Sequence, residues 1–266
     1  MTKGKIITLS ILLFVITLIG VLFGVVFCLR QQEVTVIGES PITPSREEIV
    51  STAGLKKGKS IFMLDKEKAI NNIEQKYPYL KVVQIKTKSV TKIDIRVRAR
   101  HKTYYTKAGT KYFVMDEDLK VLEVSEVQPL ELIYIKENTL NINSSSTLPC
   151  DFVGTKKQTQ TLNGLFKAMY TQVVKEKDAN GNNVYFTRQE ICTIIKEVEL
   201  KSFDTFDKII ATTSYGVKLD IENSTKEINK KINICFALIN ENNYTKGTLK
   251  LFNDLDGELK YAYFEE

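Results

Sequence analysis

The apolar pattern begins with 24 residues, Ile6 to Leu29, that carry no charged side chain. At about 1.5 Å per residue a helix of that length covers a hydrocarbon core of roughly 30 Å. Only Thr8, Ser10 and Thr17 bear hydroxyls, and a helix satisfies those from its own backbone. A cleaved leader would have an apolar core of about 7–15 residues ending in small side chains. This run is longer and ends in Val-Val-Phe-Cys, with Phe27 where a lipoprotein signal wants a small residue. The pattern therefore predicts one retained membrane-spanning helix over 6–29. Lys3, Lys5 and the amino terminus precede it, whereas Glu33 closely follows Arg30. That bias places residues 1–5 in the cytoplasm and the chain beyond Gln31 outside the cell.

From Glu33 to about Ala99 the pattern predicts a small α+β unit (33–99). Val34-Thr35-Val36 alternates as a strand. Ser45-Arg-Glu-Glu48 is a capping box that opens a helix, and Gly54 closes it. Asp65 caps a second helix with Ala69, Ile70 and Ile73 on one side, ended by Tyr77-Pro78. Two strands follow. Val83 and Ile85 are expected inward against Gln84, Lys86 and Lys88 outward; Ile93, Ile95 and Val97 inward against Lys92, Asp94, Arg96 and Arg98.

The remainder, 100–266, reads as a β-rich α+β domain. A hairpin over Tyr112–Leu122 turns at Glu117-Asp118. Leu130–Ile135, Thr139–Ile142, Ile191–Leu200, Lys208–Thr212 and Val217–Ile221 read as strands. Leu162, Leu165, Phe166, Met169, Val173 and Val174 recur at helical spacing. Ser224-Thr-Lys-Glu227 reads as a capping box for a helix striped by Ile228, Ile232, Phe236 and Ile239. Two last strands, Thr248–Phe252 and Glu258–Phe264, are joined by a turn at Asp254–Gly257.

Charge and chemistry change this picture little. The net charge of +6 falls to +3 once Lys3, Lys5 and Arg30 are set aside, leaving 35 basic and 32 acidic residues. That excess gives no case for nucleic-acid binding. One histidine, His101, and cysteines 28, 150, 192 and 235 without CxxC spacing argue against zinc; Cys28 lies in the membrane run, and Cys150, Cys192 and Cys235 read as free packing thiols, with one disulfide among the three left open. Gly54-Leu-Lys-Lys-Gly-Lys-Ser60 has three residues between its glycines where a phosphate-binding loop needs four. Asp178–Asn182 has its glycine two places early for a calcium loop and Gln189 at position twelve, so it reads as a turn. His101, between two cations and without a Gly-x-Ser-x-Gly elbow, reads as a surface linker residue. No cofactor and no small-molecule substrate is implied, and nothing points to an enzyme.

The order of these elements resembles the FtsQ/DivIB family of bacterial cell-division proteins. The resemblance is carried by Val34–Gly38, Ser45–Ile49, Gly54–Phe62, Tyr77–Leu80, the Ile93–Val97 strand, Tyr112–Leu122 and the closing Thr248–Phe264 pair. Leu119 stands where that family places a hairpin glycine. The resemblance implies a short tail, a membrane helix, a POTRA-type module and a β domain. It also implies a non-enzymatic scaffold of the division septum, in which the last strand offers its edge to a small coiled-coil bitopic partner. The POTRA module would contact other division proteins near the membrane.

The residues give that edge a reading of their own. In Glu258–Phe264, the last strand of the sequence, Leu259, Tyr261 and Tyr263 share a face, and an unpaired edge accepts an added strand. Phe252, Leu259, Tyr261, Tyr263 and Phe264 are the candidate partner contacts. Lys86, Lys88, Arg96 and Arg98 form a basic stripe that is the candidate contact with anionic lipid or an acidic partner. Two further function classes stand beside the septal scaffold: a membrane-tethered sensor or secretion-apparatus component, and an anchored cell-wall hydrolase, for which no nucleophile or metal set is recognisable.

Overall fold

A computed structural model describes residues 3–38, 44–137, 140, 142, 152–202, 207–224, 226–254 and 256–265, with the side chains of 3–9, 22–25 and 202 outside the description. The chain forms two compact units, residues 1–100 and 101–266.

The first unit opens with α1 (Lys3–Val26), 24 residues long. Taken over the described residues alone, no helix is long and apolar enough to cross a membrane; in α1 the described side chains are those of residues 10–21 and 26. The helix ends three residues before the apolar run does. Leu29, expected in the membrane, is fully buried in the core that follows.

That core is built by β1 (Gln31–Val36), α2 (Arg46–Ala53), α3 (Lys66–Lys76), β2 (Leu80–Ser89) and β3 (Lys92–Ala99). The sheet order is β1-β3-β2, with β1 parallel and β2 antiparallel to β3. Both helix starts follow their caps. Ser45 and Glu48 close a full capping box, Gly54 takes the left-handed C-terminal position (φ 66°), and Asp65 accepts from Lys68 N. Ile49, Ala53, Ala69 and Ile73 bury against Ile93, Ile95 and Val97.

In β2 the phase differs from expectation. A bulge between Val82 and Gln84 inserts one residue, so Leu80, Val82 and Ile85 point inward and Val83 is exposed. An extra residue shifts a two-residue period by one, which no alternation count anticipates.

The second unit is a nine-stranded mixed sheet among the described residues. Its strands are β4 (Tyr104–Ala108), β5 (Lys111–Met115), β6 (Val121–Ser125), β7 (Ile133–Ile135), β10 (Ile195–Ser202), β11 (Asp207–Thr213), β12 (Lys218–Glu222), β13 (Thr248–Asn253) and β14 (Leu259–Phe264). A separate hairpin, β8 (Val174–Lys177) and β9 (Asn183–Tyr185), turns where Asp178 accepts from Asn180 N and Asn182 N. The sheet order is β14-β13-β12-β11-β10-β7-β4-β5-β6. Helices α4 (Lys156–Thr171), α5 (Arg188–Ile194) and α6 (Ile228–Asn242) bury Leu162, Leu165, Phe166, Met169, Ile232, Cys235, Phe236 and Ile239 in its main core. Cys192 and Cys235 are buried free thiols, and burial raises both pKa values, that of Cys192 to about 11.

Further expectations need correction or fall outside view, among them Val174, expected on the helix but the first residue of β8. Ile191–Leu200 is not one strand: Thr187 and Glu190 form a reciprocal capping box, so α5 precedes β10. The Ser224 box does not form. Ser224 N donates instead to Asp207 O, and α6 starts from Glu227 in a left-handed conformation (φ 52°). The buried Lys231 ammonium donates to Glu222 O and Asn223 O, holding the end of β12 where a cap would otherwise begin. Only Ile133–Ile135 of Leu130–Ile135 is strand. Most of the strand proposed at Thr139–Ile142, and Cys150, lie outside the described residues.

At the β5–β6 turn Leu119 takes φ 61° and is fully buried. Asp116 secures the turn, its carboxylate accepting from Asp118 N and Lys120 N. Burying an isobutyl group offsets the roughly 1 kcal/mol that a left-handed conformation costs a side chain.

Candidate partner-binding edge and basic face

β14 pairs with β13 on one side, and among the described residues no strand pairs with its other side. The register divides the candidate contacts between two faces. Tyr261 lies opposite Leu251 and Tyr263 opposite Leu249, both of them core residues, so Leu259, Tyr261 and Tyr263 share the face toward the main core. Phe252 and Phe264 belong to the other face, where Lys250 Nζ lies 5.6 Å from the Phe252 ring centroid.

Exposure separates them further. Tyr261 is 56% and Phe264 54% exposed. Tyr263 is engaged: its ring stacks on Tyr244 at 3.8 Å and 11°, and its hydroxyl donates to Lys246 O at 2.8 Å. Burial raises the Tyr263 pKa, with the Glu265 charge adding to the effect. Tyr263 fixes the strand, and Tyr261 and Phe264 offer contact area beside the open edge.

The basic stripe is different from the one expected, because the sheet brings acids to it. β1 lies beside β3 and sets Glu33 next to Lys92 and Lys88, which both pair with it. Asp94, expected to face solvent, has a side chain only 1% exposed. It accepts from Thr35 Oγ1 at 2.6 Å and Arg96 Nε at 3.1 Å, with Lys88 Nζ at 3.8 Å. Burial opposes its charge, but the Thr35 and Arg96 hydrogen bonds and the Lys88 and Arg96 charges outweigh that and hold its pKa below the ordinary range. Lys88 and Arg96 are therefore paired with acids within the fold, and Lys86 lies opposite Asp94 in the β2–β3 register. Arg98, opposite Lys81, is partly buried. No sequence period reveals this arrangement, since Glu33 and Thr35 come from a strand 59 residues away from Asp94.

Among the described residues no group of three or more His, Cys, Asp or Glu side chains is placed to hold a metal ion. The Gly54–Ser60 loop spends its backbone groups inside the fold. Gly58 N donates to Leu29 O and Lys59 O accepts from Leu29 N.

Residues 29–100, which contain the β-α-α-β-β module just described, match the family model of the FtsQ-type POTRA domain. In this segment the chain is similar to that domain. The chain is also similar to the cell division protein DivIB of Clostridium acetobutylicum, 36% identical over 107 residues that cover 40% of this chain and 43% of the relative. With DivIB of Clostridium botulinum strain Hall it shares 32% over 92 residues, 34% of this chain and 36% of the relative. The matches thus span less than half the length of these relatives. The major extracytoplasmic domain of DivIB from Geobacillus stearothermophilus aligns with 55% of this chain and 97% of its own length, at 11% identity and a TM-score of 0.29.

Proposed function

We propose that this protein is a bitopic scaffold of the bacterial division septum, working through protein–protein contacts without chemistry of its own. The apolar part of α1, Ile6–Val26, is the anchor, residues 1–5 lie in the cytoplasm, and the POTRA domain and sheet unit stand outside. One observation carries this reading: a segment matching the FtsQ-type POTRA domain follows directly on a helix whose residues Ile6–Val26 carry no charge. The relatives matched by sequence are named as cell division proteins, which supports the septal assignment.

At about 1.5 Å per residue the uncharged stretch Ile6–Val26 of α1 is roughly 32 Å long, enough to cross a hydrocarbon core of about 30 Å. The open edge of β14 is the docking site for an extended segment of a small coiled-coil bitopic partner. Main-chain hydrogen bonds supply affinity there, while Tyr261 and Phe264 supply the side-chain contacts. Other division proteins meet the POTRA domain nearer the membrane.

A fluorescent fusion of the full chain tests this reading in growing cells. Accumulation at midcell is the expected result. An even or polar distribution contradicts it and points to a sensor or secretion-apparatus component.

A further inference from the structure

α1 ends at Val26, and the next residues are stitched at once into the POTRA domain. Ile61 N donates to Phe27 O at 2.8 Å, Leu29 N to Lys59 O at 2.9 Å, and Gly58 N to Leu29 O at 2.9 Å. Arg30 N and Gln31 N both donate to Thr91 O, at 2.8 and 3.1 Å. Two loops, 57–63 and 89–91, are thereby fixed beside the point where the apolar helix meets the domain.

Those loops carry the side chains that fit water worst. Phe62 is 70%, Met63 82% and Val90 47% exposed. The Phe62 ring lies 5.4 Å from the ring of Phe27, one residue past α1. Phe27, Phe62, Leu64 and Val90 line one open depression. Around them the charge is basic. Lys56, Lys57 and Lys59 are exposed and form no ion pair among the described residues, while the neighbouring Asp65 is occupied in capping α3. Lys88, by contrast, is committed to Glu33 and Asp94.

Apolar tips ringed by unpaired lysines are the composition of an interfacial anchor. Aromatic and thioether groups enter the headgroup boundary, and ammonium groups remain at anionic phosphates. We propose that Phe62, Met63 and Val90 enter the surface of the bilayer that α1 crosses, with Lys56, Lys57 and Lys59 on anionic headgroups. The POTRA domain then rests on the membrane instead of swivelling above it. This inference depends on the reading of α1 as the anchor.

The sequence contains no tryptophan, so single-tryptophan variants report without background. The full chain carrying Phe62→Trp is reconstituted into phosphatidylcholine–phosphatidylglycerol vesicles containing lipid brominated near the headgroup end of its acyl chains. Tyr79→Trp, at the other end of β2 and about 30 Å from Val90 by strand rise, is the control. Leu13→Trp, read with lipid brominated near the bilayer centre, reports on the anchor alone. Bromine is expected to remove about half of the Phe62→Trp emission and little of the Tyr79→Trp emission. Lys56→Glu, Lys57→Glu and Lys59→Glu together should lower the Phe62→Trp quenching to its value in pure phosphatidylcholine. Met63→Trp repeats the reading should Phe62→Trp misfold.

Quenching of Phe62→Trp no greater than that of Tyr79→Trp overturns the contact, whatever α1 does. If Leu13→Trp is quenched in the same vesicles, the anchor survives that failure. An unquenched Leu13→Trp overturns the anchor itself. Quenching indifferent to the lysine reversals overturns the anionic-headgroup part of the proposal.

Discussion

Arg100, the last residue of the first unit, donates from Nη2 to Glu74 Oε2 on α3 at 2.9 Å, and the two side chains are only 2% and 12% exposed. The other oxygen of Glu74 accepts from Val82 N at 2.8 Å, next to the β2 bulge. One carboxylate thus ties the end of the POTRA domain, its second helix and its irregular strand together. Removing a single partner of such a pair leaves an uncompensated buried charge, at a cost of about 3–5 kcal/mol. Arg100→Ala should therefore lower the midpoint of chemical denaturation of the full chain in detergent strongly. Arg98→Ala, on the partly exposed neighbour, should lower it little. Equal effects would remove the special place given to this pair.

At the β14 edge, two tyrosines two residues apart should separate stability from binding. Tyr263 loses a stacked ring and a hydrogen bond on truncation, so Tyr263→Ala should cost about 2 kcal/mol of folding free energy. Tyr261→Ala removes an exposed ring and should change stability by less than about 0.5 kcal/mol. Capture of division proteins by the tagged full chain should nevertheless fall with Tyr261→Ala. Undiminished capture would show that the ring takes no part in the interface. Deleting Glu258–Glu266 is a poorer test, because it strips the Tyr263–Tyr244 stack together with the edge.

Acid should act on the capping box of α5. Lys175, at 2.5 Å, and the Thr187 backbone and side chain hold the Glu190 pKa at about 2, below its ordinary 4.5. A carboxylate whose folded pKa is depressed contributes stability that is complete above the unfolded value and lost as pH falls through the folded one. Amide protection in α5 and the β8–β9 hairpin should accordingly decline between pH 4.5 and about 2. Glu190→Gln should flatten that part of the profile. A Glu190 carboxyl resonance titrating near 4.5 would contradict the arrangement.

Local rules made most of the POTRA domain legible in the sequence. Ser45, Gly54 and Asp65 each act within one turn of helix, and Ile93, Ile95 and Val97 keep an unbroken two-residue period. What escaped depends on distant segments or a change of phase. The bulge at Val83 moves the inward set to Val82 and Ile85. Asp94 counts as an outward residue, yet Thr35 and Arg96 bury it. Leu29 continues an apolar run without a break, so only the backbone bonds from the 57–61 loop reveal that it belongs to the domain. Thr187-Arg-Gln-Glu190 was available as a capping signal and was masked by the β-like run after it. Ser224-Thr-Lys-Glu227 offered the same signal and was not used: Ser224 N donates to Asp207 O of β11, and Glu227 takes the left-handed N-cap position of α6. In the candidate site the terminal strand and its aromatic residues could be read from alternation, whereas the engagement of Tyr263 by Tyr244 could not.

The central claim is that the open side of β14 receives a strand from another division protein at the septum. Site-specific photo-crosslinking in dividing cells tests it most directly, with the photoreactive group at position 261 and a control at Tyr79 in the POTRA domain. The account predicts a position-261 adduct with a small single-pass division protein, absent from the control and lost when division is blocked. No adduct at position 261, or one that persists equally in non-dividing cells, would contradict it.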